Sequence, residues 1–168
     1  YLVLKEGRNT GAEYLQDVDW ERTRAYAIGL AGLYINRRGR ERFGSVEPSD
    51  AEGLKREISA KLEALRDPVG NVSPISKVYD TVTSYRGLYV DEAPDLIVGY
   101  NPGYRVSWES ITGKIEAEVF SDNTKAWSGD HHIDPELIPG VLFANRQVKV
   151  ADPHLADLAP TALDLFAI

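Results

Sequence analysis

The chain has 168 residues and a mass of 18.7 kDa, enough for one domain or one large piece of a domain. Its hydrophobic share of 43% and charged share of 27% are those of a folded protein. The formal net charge of −7 opposes non-specific binding to a nucleic-acid duplex, whose phosphates would repel it. No apolar run approaches the roughly 20 residues that cross a bilayer. Cysteine is absent, which removes disulfides, thiolate ligands and thiol nucleophiles and agrees with a cytoplasmic location. Methionine is absent too, and the text opens on YLVLKEG, so we expect a piece of a longer protein.

Residues 1–20 are short apolar text running into a polar turn. The stretch 25–36, AYAIGLAGLYIN, reads as two strands or one bent strand, with Gly29 and Gly32 as break points. A basic loop, RRGRERFG, follows at 37–44; it reads as a solvated surface, with an anion site as the alternative. Ser49 and Glu52 have capping-box spacing, which predicts a helix start. Leu54, Ile58, Leu62 and Leu65 then share one helical face, and Pro68 closes the run. That stripe reads as core packing.

Residues 69–74 predict a turn and 75–82 a half-buried strand. The stretch 93–104 predicts a short apolar strand between Pro94 and an Asn101–Pro102–Gly103 turn. YRVSW (104–108) and IEAEVF (115–120) read as strands around a Thr112–Gly113 turn, a small antiparallel β unit leading up to a histidine pair. GVLFANR (140–146) reads as a buried strand. The C-terminal stretch 154–168 predicts a short helix with Asp157 as N-cap and Pro160 in its first turn. Leu158, Ala162 and Leu165 would face the core. Strands and helices alternate, so the fold class expected is α/β.

Chemistry concentrates in WSGDHHIDPELIPGVLF, 127–143, which holds two of the three histidines. Asp130, His131, His132 and Asp134 all carry donors that zinc accepts where cysteine is lacking. Neighbours on an extended chain point to opposite sides, so His131 and His132 would not share one ion. The plain alternative is a solvated loop. His154 reads as a surface or helix-flanking residue. No phosphate-loop, Gly-x-Ser-x-Gly, dinucleotide-fingerprint or His-Glu-x-x-His pattern occurs.

Four blocks in order carry a resemblance: residues 32–48, 86–104, 125–146 and 156–168. Together they resemble the C-terminal portion of the alkaline phosphatase superfamily, in its type I phosphodiesterase/nucleotide pyrophosphatase-like branch. The resemblance implies that 1–168 is a single C-terminal segment of an alkaline-phosphatase-like α/β/α sandwich. It further implies two divalent metal ions, zinc in most relatives, which clamp a phosphoryl group during in-line displacement. His131 matches the last histidine ligand of that family. His132 has no counterpart, and Asp130 would act behind the ligands rather than among them.

The nucleophile, the Asp-x-x-x-His ligands and the Ser-Asp-His-Gly block have no match here. They are expected upstream, so the partner implied is the preceding part of the same catalytic domain and the substrate a small phosphoester or nucleotide. One imidazole does not hold a catalytic zinc, so the chain alone is expected to be inactive. Two further readings stand beside this one. The first is a non-catalytic binding domain derived from such an enzyme, with loop 37–42 and Tyr100, Tyr104 and Trp108 as contact surfaces. The second is a small metalloenzyme using Asp130, His131, Asp134 and His154.

Overall fold

The computed structural model describes residues 1–127, 129 and 132–167. They divide into two compact units, Tyr1–Ile138 and Pro139–Ile168. The first is a mixed α/β unit around a four-stranded sheet of β1 (Ala25–Ala27), β2 (Gly32–Ile35), β3 (Ile75–Asp80) and β4 (Leu96–Tyr100). The strand order is β1-β2-β4-β3, and every neighbouring pair is antiparallel.

The break expected in 25–36 is a turn between β1 and β2, with Gly29 at a φ of +82° that side chains other than glycine's resist. Ala25 pairs with Ile35 and Tyr26 with Tyr34. Side chains alternate across a sheet, so Ala25 and Ile35 enter the core while Tyr26 and Tyr34 stack on each other at 5.3 Å between centroids. Burial and the nearby Glu41 carboxylate push the Tyr26 hydroxyl up to about 12.

Helix α1 (Pro48–Glu63) buries Ala51, Leu54 and Ile58 against Ala25, Ile35, Val46 and Leu96. Leu33, Leu62 and Val78 close the margins of this core. Each fully buried aliphatic side chain stabilises by about 1.5–3 kcal/mol. Leu54 and Ile58, each 2% exposed, make the expected stripe the main apolar seam of the unit.

The helix begins two residues earlier than the Ser49–Glu52 capping box requires. Pro48 occupies the first turn, where its fixed φ is already helical and its missing N–H costs nothing. Glu47 is the N-cap, without a side-chain cap bond, and Glu52 instead pairs with Lys55 at 2.6 Å.

β3 forms where expected but stops at Asp80. That carboxylate accepts from the Val82 amide at 3.1 Å and starts the short helix α2 (Thr81–Ser84). A register irregularity between Ile75 and Lys77 breaks the expected alternation, leaving Ser76 and Lys77 both exposed. β4 ends at Tyr100, and the predicted turn follows with Gly103 at φ +89°.

Two expected strand regions are absent as strands. At 104–108 and 115–120 there is no antiparallel β unit. Trp108–Thr112 is a 3-10 turn, capped by Ser107 at its start and closed by Gly113 at φ +70°. Ile115 makes a single bridge to Gly11. The expected buried strand at 140–146 is likewise irregular, with Val141 82% and Phe143 92% exposed. Apolar alternation makes a strand only where another strand offers its backbone, and beyond the Gly11 bridge these stretches pair with no strand among the described residues.

In the second unit, helix α3 (Leu158–Leu165) forms with Pro160 in its first turn. Asp157 sits at the N-cap position but gives α3 no side-chain bond, and Leu158 and Leu165 are exposed within the unit rather than core residues. Among the described residues no helix is long and apolar enough to cross a membrane.

Candidate functional site

Asp130 and His131, the centre of the sequence-based site, lie outside the described residues. The residues on either side are described. Ile133 bridges Tyr100, the last residue of β4, in a parallel pairing, and the Asp134 amide donates to the Tyr100 carbonyl at 3.0 Å. The stretch after the histidines therefore runs beside the end of a central strand.

Asp134 is fully buried, at 0% exposure. Its Oδ1 accepts from the Tyr79 hydroxyl at 2.6 Å and from the Glu136 amide at 2.9 Å, the latter capping the 3-10 turn Pro135–Leu137. Burial works against its charge, but these two hydrogen bonds outweigh it and hold the carboxyl below the usual aspartate range. Oδ2 has no hydrogen-bond partner; the Ser76 hydroxyl favours its charge without reaching bonding geometry.

Burial and the adjacent Asp134 carboxylate push the Tyr79 hydroxyl well above the ordinary tyrosine range, so it remains a donor. Lys77 adds an exposed ion pair to Glu136 at 2.6 Å. Its ammonium also stands 4.9 Å from the Tyr79 ring centroid.

Room for the Asp134 carboxylate comes from Gly99 on β4. A Cβ at that position would lie 2.9 Å from Asp134 Oδ2 and 3.0 Å from Cγ, closer than real contacts allow. Beside this anchor, His132, Ile133, Pro135, Tyr79, Tyr85 and Ile97 line a largely apolar, half-open cavity of about 380 Å³. His132 thus turns towards a cavity, which the sequence leaves open. Tyr79, 55 positions away from Asp134, carries no local signal that would have marked it.

Other sequence-based candidates have structural employment. The basic loop is not simply solvated. Arg40 holds Asp95 with Nη2–Oδ2 at 2.6 Å and Glu41 with Nε–Oε1 at 2.6 Å, and Arg37 stands 3.7 Å from Asp95. Arg38 pairs with Glu47. The Tyr104 hydroxyl donates to Asp67 at 2.8 Å, and the Arg105 guanidinium lies 4.0 Å over the Trp108 ring. These engagements tie parts of both surfaces proposed for a binding domain to the rest of the unit, while Arg38, Arg42 and Trp108 stay exposed.

His154 flanks a helix, as read. Its Nδ1 accepts from the Ala156 amide at 3.1 Å, while its own amide donates to Asp157 at 2.8 Å. Asp157 is therefore half of a capping box one turn ahead of α3.

Among the described residues no group of three or more His, Asp or Glu side chains could hold a metal ion. Of the four residues of the third reading, Asp130 and His131 lie outside the described residues, Asp134 bonds to Tyr79, and His154 bonds to the amide of Ala156. No protein-family model, no curated protein and no solved structure matches the chain.

Proposed function

We propose that this chain is the C-terminal part of a two-metal phosphoester hydrolase of the phosphodiesterase/nucleotide pyrophosphatase type, contributing His131 as the last metal ligand. The resemblance over four ordered blocks is the basis of the reading. The observation that supports it is the burial of Asp134 three residues beyond His131. A solvated histidine loop has no use for a carboxylate taken fully out of water, a placement that costs several kcal/mol unless bonded. A ligand loop has one, because ligand positions tolerate little displacement.

In this proposal the catalytic domain is an α/β/α sandwich whose nucleophile and remaining ligands precede Tyr1. Zinc, when bound, supplies electrostatic stabilisation of the phosphoryl oxygens. In that reading this chain contributes the His131 imidazole, while His132 lines an apolar cavity. The parent acts on a small phosphoester or nucleotide.

The test is the coding sequence immediately before Tyr1. An in-frame continuation containing Ser-Asp-His-Gly and an earlier Asp with a Thr or Ser nucleophile supports the proposal. A start codon directly before Tyr1 overturns it and favours a non-catalytic binding module.

A further inference from the structure

Side chains alternate along β4: Leu96 joins the core that α1 covers, while Ile97 and Gly99 turn to the opposite face of the sheet. Tyr79 of β3 stands opposite Ile97 in the register and shares that face. The cavity of about 380 Å³ opens over these residues. Its volume lies at the low end of the roughly 300–1,000 Å³ typical of small-molecule sites.

The walls are held in place before anything binds. The Asp134 amide donates to the Tyr100 carbonyl and the Tyr79 hydroxyl donates to Asp134 Oδ1, so Ile133 and Pro135 stand fixed against β3 and β4. A second wall is pinned by the Ser84 hydroxyl, which donates to the Asp80 carbonyl at 3.2 Å, and by the Tyr85 amide, which donates to the Thr81 carbonyl at 2.7 Å. A preformed wall spares a ligand the cost of ordering it.

The lining selects a class of ligand. Tyr79 and Tyr85 offer rings, Ile97, Ile133 and Pro135 offer apolar surface, and no lining side chain is a carboxylate, ammonium or guanidinium. Such walls suit a planar aromatic ring, met by offset or edge contacts. Behind Gly99 lies the buried Asp134 carboxylate, which its hydrogen bonds keep ionised. Lys77 of β3 is already paired with Glu136. A negative charge brought into the cavity would therefore meet that carboxylate across a poorly screened interior.

We propose that this cavity is a binding site for a small planar aromatic molecule without negative charge, such as a fused-ring nitrogen heterocycle. The site stands apart from the hydrolase reading: it involves no metal, and every residue it uses lies in the first unit.

The test is a titration of the 168-residue chain with indole, followed by NMR of its isoleucine methyl groups. Ile97 and Ile133 should shift together along one saturable curve, while Ile58, in the core, stays still. Ser84→Phe adds a ring from an exposed lining position, and Ala31→Leu adds bulk from another. Each should weaken binding by about tenfold or more, with an unmoved Ile58 methyl reporting an intact core. Indole-3-carboxylate, the same ring with an added anion, should bind about tenfold more weakly than indole. Shifts that rise without saturation, unchanged affinity in both filled variants, or equal binding of the carboxylate each overturn the proposal. So do shifts of Ile97 and Ile133 with protein concentration in the absence of indole, which would place a second copy of the chain in the cavity.

Discussion

Arg40 and Asp95, 55 positions apart, meet through two contacts, Nη2–Oδ2 at 2.6 Å and Nη1–Oδ1 at 3.2 Å. The same pair brackets β2: Asp95 accepts from the Ile35 amide at 2.6 Å, and Arg40 donates to the Ile35 carbonyl at 2.7 Å. The basic loop is thus pinned to the start of β4. Truncating one partner of a buried pair costs about 3–5 kcal/mol. Arg40 retains 20% exposure, so Arg40→Ala should cost somewhat less, about 2–3 kcal/mol. Arg40→Lys should recover little of it, since an ammonium lacks the fork. Urea unfolding midpoints check both.

Lys55 lies on the core side of α1 with 5% exposure and pairs with Asp80 and Glu52 at 2.6 Å each. Its two partners keep more contact with water, at 32% and 62% exposure, so they rehydrate if the lysine is removed. Lys55→Met should therefore change stability by no more than about 1 kcal/mol. Asp80→Ala should be the worse change, because it withdraws the α2 cap as well, by about 1–2 kcal/mol in total. Thermal unfolding of the two variants gives the ranking directly.

Asp134 has its carboxyl held below the ordinary value of 3.8 in the folded chain. A depressed folded value means the stabilisation is complete above the unfolded value and is lost as pH falls through the folded one. The stability gap between the native chain and Asp134→Asn should thus be constant from neutral pH down to about pH 5. It should narrow below about pH 4, where the unfolded carboxyl begins to take up its proton. A gap that stays flat to pH 2 would show that the charge of Asp134 contributes nothing to its anchoring.

On the proposed reading the chain by itself should not hydrolyse a phosphodiester such as bis-p-nitrophenyl phosphate in the presence of zinc, since one imidazole does not hold a catalytic zinc. Turnover removed both by a chelator and by His131→Ala would mean that the missing ligands lie within the chain after all.

Local text foretold the elements whose causes are local. β2 and β4 are apolar runs fenced by glycine and proline turns, and α1 is a 3.6-residue apolar stripe that ends before Pro68. The helix start was misjudged by two residues because Pro48 outranks a Ser-Glu pair as a first-turn residue. Stretches 104–108, 115–120 and 140–146 carry strand-like text, but pairing is a property of neighbours that a single sequence does not display. The candidate site followed the same rule. Asp134 was visible as a carboxylate beside a histidine pair, whereas Tyr79 and Gly99 became part of it only through the register of β3 against β4. The arginine loop hid its role similarly, since Asp95 lies 55 positions away from Arg40.

The most direct measurement is the zinc content of a protein that joins this chain to the upstream ligands proposed for it, compared between His131→Ala and His132→Ala. The account predicts that His131→Ala loses about one of two zinc ions and its phosphodiesterase activity. It predicts that His132→Ala, a change at a residue lining the apolar cavity, keeps both ions. Full zinc and full activity in His131→Ala would contradict it.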